Sequence, residues 1–299
     1  MPSASVPPVP TPTQQAGLEP GRATAYLVGL LDDATGLPLA GAAVTSAVSA
    51  HREHRAADHG VLVGPFLAAV SRLGAVLDAL DAAPTIEPLD LVLVADTGLV
   101  AAAEARAILL DDDRVALAGL AVVLPPDAPL GEAARLTLDT LDFALPAAIA
   151  VPPADAWRDA FDVLAADGAE RVGFRAAGTS AARLVPDTEL AAFVAAAVER
   201  SLPFTVTAGL RRAVRDADPV TGLEEHGFLN VLAATAAAID GRPEPDVAAL
   251  IAERDGAALL RVLAAADPTA VRRRFTSFAS PSIDDAVADL RSLGMLDDE

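Results

Sequence analysis

RVGFRAAGTS (171–180), PFTVTAGLRRAVR (203–215) and EEHGFLNVL (224–232) are the stretches that decide the fold. The runs RVGF and PFTVT are short, β-branched and aromatic, and they end in Gly, Thr or Arg, as buried parallel strands do at their carboxyl ends. A helix is predicted between them, with Asp187 as its cap. Its apolar positions are Leu190, Phe193, Val194, Ala197 and Val198. Together these elements predict a βαβ unit.

The same alternation of strand and helix extends along the chain from Tyr26. The predicted strands lie at 25–33, 61–67, 89–98, 114–124, 147–153, 171–174, 203–207 and 275–280. Eight strands, each followed by a helix, predict a (β/α)8 TIM-type barrel. The alternative is an open doubly wound α/β sheet, which is less economical because no glycine-rich fingerprint follows the first strand. After the last strand, Ser282 and Asp285 predict a capping box.

An insertion is predicted between the seventh and eighth strands, which are separated by about 70 residues, well beyond an ordinary crossover. It reads as a charged, turn-rich loop at 210–225 followed by helices at 227–239 and 246–265. The βα loops of a barrel line its catalytic face. The inserted segment is therefore predicted to form a lid or a pocket wall.

The composition excludes several kinds of function. A net charge of −20 disfavours a nucleic-acid or anionic-membrane partner, because either needs a basic face. The chain has no cysteine, which excludes disulfides and thiolate chemistry. It also has no lysine, since all 22 basic residues are arginine. Schiff-base chemistry, lysine-bound pyridoxal phosphate and the phosphate-loop lysine are thereby excluded.

Residues 1–20 are rich in Pro, Ser, Thr and Gln, without apolar periodicity. Such a segment buries too little surface to offset the entropy of ordering, so it is predicted to be a disordered tail before a single barrel domain at 21–299. It lacks the features of a signal peptide, and no apolar run is long enough to span a membrane. We therefore expect a cytoplasmic protein, either monomeric or homo-oligomeric.

In a barrel, side chains at the carboxyl ends of the strands converge on one mouth. The candidates there are Asp32, Asp33, Asp96, Thr97, Arg175, Thr205, Thr207, Ser277 and Ser280. Arg211, Arg212 and Arg215 follow the seventh strand, where barrels often hold phosphate, and guanidinium groups suit carboxylate or phosphate. The alternative is an inert ion-pair network within the same loop. Its acidic partners would be Asp216, Asp218, Glu224 and Glu225.

His226 and Asn230 share a face of a predicted helix. His226 is the best candidate for a general acid or base. Asn230 is the only asparagine in the chain and is predicted to make a specific hydrogen bond, either to a substrate or between a helix and a strand end.

Two sets of side chains could serve as metal ligands. His51, His54 and His59 lie close in sequence, but they fall on the outer layer, where a solvated helix face is the ordinary explanation. Acidic residues at strand ends, Asp32–Asp33 and Asp96, could bind Mg²⁺ or act as acid and base, although Asp-Asp after a strand is also common turn chemistry. No cofactor is predicted, and Mg²⁺ stays open.

The stretches quoted first resemble a family of uncharacterised bacterial proteins, whose members read approximately GFK-x-RTGG, FKATAGLHHPLR and HGFLN, with DDAALFPP near the start. TAGL, HGFLN and Asp32–Asp33 match that pattern. Arg175 stands in place of Lys, Ala177 in place of Arg, and Arg211–Arg212 in place of His-His. Val206 stands in place of Ala, and DDATGLPL in place of DDAALFPP. If the family is enzymatic, these differences imply changed or lost chemistry here.

Two functional hypotheses follow. The first is a lyase-, isomerase- or hydrolase-type enzyme for a small carboxylated or phosphorylated metabolite, with Arg175, Arg211 and Arg212 holding the anion and His226 moving the proton. Asn230 or Thr207 would polarise a carbonyl. The second is an inactive barrel that senses a ligand or binds a protein partner.

Overall fold

The computed structural model describes residues 18–125, 128–141, 145–152, 157–176, 184–217 and 222–297. In these ranges the strands are β1 (Leu31–Asp33), β2 (Val63–Ala69), β3 (Leu89–Val94), β4 (Val115–Val123), β5 (Ala147–Ala150), β6 (Arg171–Arg175), β7 (Phe204–Thr207), β8 (Leu210–Arg212), β9 (Asp216–Ala217), β10 (Glu224–Gly227) and β11 (Phe275–Ser280). The helices are α1 (Pro20–Leu27), α2 (Val44–Ala56), α3 (Leu73–Ala82), α4 (Leu99–Leu110), α5 (Leu130–Thr140), α6 (Trp157–Ala166), α7 (Asp187–Glu199), α8 (Phe228–Ile239), α9 (Glu244–Ala252), α10 (Gly256–Ala265), α11 (Pro268–Arg274) and α12 (Ile283–Ser292).

Eight parallel strands of the described chain close into a barrel in the order β1-β11-β7-β6-β5-β4-β3-β2. Closure is made by β1, in which Leu31 is in register with Phe278 of β11 on one side and with Val63 of β2 on the other. A sheet with no free edge confirms the predicted (β/α)8 barrel, and the open doubly wound alternative is wrong. No helix in the described ranges is long and apolar enough to cross a bilayer.

The barrel strands alternate between two environments. Outward-facing side chains pack under the helices; Phe174 and Phe204, for example, contact Phe193 of α7 at ring-centroid distances of 4.5 and 5.5 Å. Inward-facing residues are smaller or polar, as Gly173 and Thr205 illustrate. Because successive residues of a strand point to opposite faces, this alternation determines which strand residues can meet a ligand in the lumen.

The first predicted strand is corrected by the structure. Residues 20–27 form helix α1, and the strand itself is only three residues long. The segment around Tyr26 is helical and not extended because it packs against the inserted helices. The buried phenol of Tyr26 donates a 2.8 Å hydrogen bond to the Leu263 carbonyl of α10 and holds the segment there. Within the predicted tail, Leu18 is buried and α1 begins at Pro20. Residues 1–17 of the predicted tail lie outside the described residues.

The predicted insertion between β7 and β11 is present and mainly helical, with helices α8 to α11. Its first part, predicted as a loop, contains a small sheet in which β10 pairs in parallel with β8 and antiparallel with β9. Strands of two to four residues carry too little periodicity to be recognised in the sequence. Helix α8 is buried along almost its whole length, from Phe228 to Ala237, so the insertion is part of the core.

Candidate functional site

Arg211 and Arg212, the predicted anion-binding pair, are engaged by helix α12. The Nε atom of Arg211 lies 3.1 Å from the carboxylate of Asp285. The Nη2 atom of Arg212 lies 2.7 Å from the carboxylate of Asp289. Asp285 and Asp289 are one helical turn apart, so the two arginines fasten the small sheet to one face of α12. This arrangement favours a structural role for both guanidinium groups.

The alternative in which the arginines pair with acidic residues of their own loop holds in part. Glu225 lies 3.9 Å from Arg211, and Glu224 lies 3.4 Å from Arg215. Asp218 lies outside the described residues. Both Arg211 and Arg212 nevertheless pair with α12, more than seventy residues further along the chain, and local sequence gave no sign of that pairing.

Arg215 is the centre of a second ionic cluster, which joins four segments around the insertion. Its guanidinium pairs with Asp187 at the start of α7 and with Glu224 of β10. Glu224 in turn lies 2.5 Å from Arg254, between α9 and α10. Asp187, predicted as a helix cap, does not cap α7, whose N-cap position is Pro186 without a side-chain hydrogen bond. Its carboxylate forms an ion pair with Arg215 instead.

His226 is fully buried beside this cluster. Its Nε2 atom lies 2.9 Å from the Val185 carbonyl, and its Nδ1 atom lies 3.1 Å from the Arg215 guanidinium. A carbonyl only accepts and a guanidinium only donates, so the ring is the neutral Nε2–H tautomer. Burial lowers the pKa of His226 below its ordinary value, and the charge of Arg215 acts in the same direction. The contacts make His226 a structural histidine in this conformation.

Asn230 is fully buried, and its side-chain amide forms hydrogen bonds with three backbone groups. Its Oδ1 atom accepts the Arg215 N–H at 2.9 Å. Its Nδ2 atom donates to the carbonyls of Leu250 and Glu253 at 2.8 and 2.7 Å. Gly227 is required beside it, because a Cβ there would lie 2.2 Å from the Asn230 oxygen. The HGFLN motif thus ties the small sheet to the end of α9, which matches the predicted structural explanation for the asparagine.

Asp33 faces outward from the barrel and supports the loop after β1. One carboxylate oxygen accepts the N–H and hydroxyl of Thr35 at 2.9 and 2.6 Å. The other lies 2.9 Å from Nδ1 of His51 in α2. His51 is buried, which corrects the expectation of a solvated face at this histidine. Asp33, predicted as catalytic, is therefore directed toward a helix and away from the lumen.

Asp96 and Ser280, two further candidates, also make local contacts. The carboxylate of Asp96 accepts the N–H of Ser71 at 3.1 Å and its hydroxyl at 2.5 Å, which joins the loops after β3 and β2. The Ser280 hydroxyl donates to the Ser282 carbonyl at 3.1 Å. Ser282 itself accepts the Asp285 N–H at 3.3 Å as the cap of α12, which is one half of the predicted capping box. The Ser282 N–H donates to the Ser280 hydroxyl at 3.2 Å, and the Asp285 carboxylate pairs with Arg211.

Among the described residues, no group of three or more His, Asp or Glu side chains is arranged to hold a metal ion. Two of the three candidate metal-binding histidines contact one another, with Nδ1 of His54 3.1 Å from Nε2 of His59. The acidic pair at the end of β1 is divided, since its two carboxylates face opposite sides of the barrel wall. An Mg²⁺ site stays a prediction without a described ligand set.

The barrel lumen contains a buried polar network formed by Asp32, Ser277 and Thr205. The Ser277 hydroxyl donates to the Asp32 carboxylate at 2.6 Å. The Thr205 hydroxyl donates to the Ser277 carbonyl at 2.8 Å and lies 3.0 Å from its hydroxyl. Gly64 makes room for the carboxylate, because a Cβ there would lie 2.8 Å from Asp32 Oδ1. Three adjacent strands, β1, β11 and β7, thus supply one connected hydrogen-bonded group.

Asp32 has an unusual protonation equilibrium. Burial raises the pKa of its carboxyl from 3.8 to about 6, although the Ser277 hydrogen bond and the charges of Arg171 and Arg272 act in the opposite direction. Desolvation of the charged form therefore dominates. A carboxyl that titrates near neutral pH inside a barrel can donate or accept a proton.

The lumen is reached by solvent along the β3 and β5 side. Outward-facing Leu91 and Leu93 are fully buried, whereas the inward-facing residues of the same strand, Val92 and Val94, are partly exposed. The same contrast holds in β5, where Ala148 and Ala150 are the partly exposed positions. This side of the lumen is apolar and lined by short side chains.

The opposite side of the lumen is polar and leads to Arg175 and Thr207 at the carboxyl ends of β6 and β7. Both are partly exposed and lie in register with each other. The row continues through Ala279 to Asp32. The structure therefore brings together Arg175, Thr207 and Ser277 of the predicted site, whereas Arg211 and Arg212 pair with α12, and His226 and Asn230 are engaged by backbone carbonyls.

Of the two acidic residues that end β1, Asp33 is the one predicted to be catalytic, whereas Asp32 is the one directed into the lumen. The available signal was alternation: Leu31 is apolar and packs outward, so Asp33 shares its face and Asp32 lies on the other. Thr205 and Arg171 could have been placed in the same way, as they share the inward face with Gly173 and Arg175.

Comparisons of the chain with protein-family models, with curated proteins and with solved structures found no match. The resemblance carried by TAGL and HGFLN therefore stays a prediction. The barrel and its internal contacts are the evidence on which a function can be proposed.

Proposed function

We propose that the protein binds a small anionic metabolite inside the barrel, at the carboxyl ends of the strands. The observation that carries this proposal is the partial exposure of the inward faces of β3 and β5, whose outward faces are fully buried. A barrel interior is normally filled by layers of large branched side chains. Here the inward positions include Ala148 and Ala150, which leave the lumen accessible.

The chemistry of the two walls indicates the class of ligand. Arg175 supplies a guanidinium at the rim, where it can hold a carboxylate or phosphate by paired hydrogen bonds. Val92 and Val94 on the far side suit an apolar portion of the same molecule. The ligand favoured is thus a small carboxylated or phosphorylated molecule with an apolar part. Arg211 and Arg212 support the loops and are not needed for binding.

Catalysis is the second candidate function, and the Asp32–Ser277–Thr205 network is the observation that favours it. A carboxyl with a pKa of about 6 can serve as a general acid or base near neutral pH. A proton-transfer reaction of the lyase or isomerase type would use Asp32 in the role that the sequence assigned to His226. Without turnover, the same lumen acts as a ligand sensor, the non-catalytic alternative.

The test is a thermal-shift and calorimetric screen with small carboxylates and phosphates. A ligand at about 100 times its dissociation constant stabilises the native state by about 2.7 kcal/mol. Replacing Arg175 by Ala should remove a charge-assisted contact and weaken binding by roughly ten- to a hundredfold. Ala148→Leu should block the lumen and also abolish binding.

The matched control is the Arg211→Ala/Arg212→Ala variant, which should bind the same ligand as the parent despite a lower melting temperature. If the parent binds an anion that Arg175→Ala retains and Arg211→Ala/Arg212→Ala loses, the site lies on the small sheet and the lumen proposal is wrong. Incubation of any ligand found with parent and Asp32→Asn protein, followed by product analysis, separates catalysis from sensing.

A further inference from the structure

Strand β6 presents two arginines to the lumen, one at each end. Arg171 is its first residue and Arg175 its last, and both lie on the inward face that Gly173 shares. Because the inward position between them is a glycine, no β6 side chain stands between the two guanidinium groups. Four residues of a strand span about 13 Å, so the two arginines mark the floor and the rim of one lumen wall.

The guanidinium of Arg171 is available to a ligand. Arg171 is partly exposed, and its side chain makes no hydrogen bond or ion pair with any residue that the structure describes. A guanidinium carries five N–H donors and no acceptor, so an anion can satisfy several of them at once. Solvent reaches the same depth, since Ala148, the β5 residue in register with Arg171, is also partly exposed. A molecule that enters the lumen can therefore contact Arg171.

The charges around Arg171 favour a single negative charge at the floor. Burial raises the pKa of Asp32 to about 6, and the nearby charges of Arg171 and Arg272 act in the opposite direction. Burial lowers the pKa of Arg272 to about 10, the charge of Asp32 opposes this change, and the charge of Arg171 adds to it. In the described part of the chain, two guanidinium groups thus face one carboxyl. The floor keeps an excess of about one positive charge even when Asp32 is ionised.

The two floor arginines differ in their hydrogen bonds. Arg272 donates to the carbonyls of Phe275 and Val28 at 2.6 and 2.9 Å, so its side chain is fixed at the base of the barrel. Arg171 has no such anchor among the described residues. Arg171 is therefore the arginine that can bind an entering anion, while Arg272 adds to the positive charge of the floor.

We propose that the ligand of the lumen is an elongated dicarboxylate, with one carboxylate bound by Arg175 at the rim and the other by Arg171 at the floor. This inference rests on the proposed function and narrows its ligand class. A carboxylate matches the excess of one positive charge at the floor, whereas a phosphate monoester carries about 1.5 to 2 negative charges. The middle of the molecule is apolar, because Ala148 and Ala150 line the lumen between its ends.

Calorimetric titration of the full chain with straight-chain dicarboxylates, from succinate to sebacate, tests the proposal against monocarboxylates of equal chain length. A dicarboxylate long enough to reach both arginines should bind about ten- to a hundredfold more tightly than its monocarboxylate counterpart, because it adds charge-assisted hydrogen bonds. Dicarboxylates too short to reach both should show no such gain. Arg171→Gln should reduce the affinity of the long dicarboxylate to that of the monocarboxylate.

The matched control is Arg200→Gln, which removes a positive charge outside the lumen, where Arg200 pairs with Asp162 of α6. This variant should keep the gain from the second carboxylate. Arg171→Gln should keep the fold, because it breaks no hydrogen bond of the described chain, and circular dichroism and the melting temperature check this.

Dicarboxylates that bind no better than monocarboxylates at every length, or a gain that survives Arg171→Gln, would overturn this inference and leave the lumen site standing. A parent that binds no carboxylate at all also overturns it. The phosphate screen described above then decides whether the proposed function fails as well.

Discussion

At the scale of the residue, Asp32 combines a buried position with a carboxyl that titrates in the working range of pH. The pKa is raised from 3.8 to about 6 on folding, so between these values the native state binds more protons than the unfolded state. The stability contributed by Asp32 therefore falls as pH rises from about 4 to about 6, and the loss persists above that range. Burial of the charged carboxylate is the cause.

We expect Asp32→Asn to be more stable than the parent at pH 7 and to lose this pH dependence. A pKa difference of about two units corresponds to roughly 3 kcal/mol. This value is the upper limit for how much the difference in unfolding free energy between the two proteins changes from pH 4 to pH 7. Urea unfolding of both proteins at several pH values measures it. Ser277→Ala removes the hydrogen bond that stabilises the carboxylate, and should move the transition to higher pH. A parent and an Asp32→Asn variant with parallel pH profiles would contradict this account.

Asn230 gives the second residue-scale prediction. Asn230→Ala removes the amide that bonds the Arg215 N–H and the carbonyls of Leu250 and Glu253, and should cost about 2–4 kcal/mol of unfolding free energy. Gly227→Ala should cost a similar amount, because its Cβ would displace the same amide. Since both changes break one contact, their effects should be far from additive in the double variant. Chemical denaturation measures all three, and additive costs would show that the contact is not shared.

At the scale of the element, the small sheet is held in place from several sides by ion pairs. Arg212 and Asp289 are the best isolated of these, at 2.7 Å and with relative exposures of 35% and 15%. Asp289 also accepts the Ala213 N–H at 2.8 Å, so the helix contacts both the side chain and the backbone of the β8 segment. The Asp289 carboxylate thus attaches the sheet to α12 by two contacts, in addition to the Arg211–Asp285 pair.

A double-mutant cycle at this pair tests that attachment. Arg212→Ala and Asp289→Ala should show a coupling energy of about 0.5–1 kcal/mol, which is the size expected for a partly exposed ion pair. Asp289→Ala alone should cost more than Arg212→Ala, because it also removes the acceptor of a backbone N–H. Equal single costs with no coupling would mean that the contact adds nothing to stability.

At the scale of the whole molecule, the net charge of −20 makes the stability of the fold dependent on salt. Like charges on one compact molecule repel each other, and salt screens this repulsion with a Debye length of about 10 Å at 0.1 M. We therefore expect the unfolding free energy to rise as NaCl is raised from roughly 20 to 150 mM. Urea unfolding at the two ionic strengths measures the effect. A fold that loses stability with salt would show that the ion pairs dominate over the overall charge.

Much of the fold could be predicted because the sequence patterns that indicate its strands and helices are local. The strand at 275–280 has the predicted boundaries, and the helix predicted at 227–239 begins one residue later, at Phe228, since each is an apolar run ended by a turn residue, Pro281 or Gly241. The helix that replaces the first predicted strand could not be foreseen, because its stability depends on a contact between Tyr26 and Leu263. The small sheet likewise consists of strands too short to show a period.

The sequence by itself determined the barrel, the position of the insertion and the chemistry available to the protein, because periodicity, chain length and composition are properties of the chain alone. Only the tertiary structure decided which polar residues meet. It directed Asp32 into the lumen and Asp33 out of it, paired the arginines with α12, and enclosed His226 and Asn230 in the protein. Alternation along β1 is a local signal for the first of these outcomes. The others depend on contacts between residues far apart in the chain, and no local pattern encodes them.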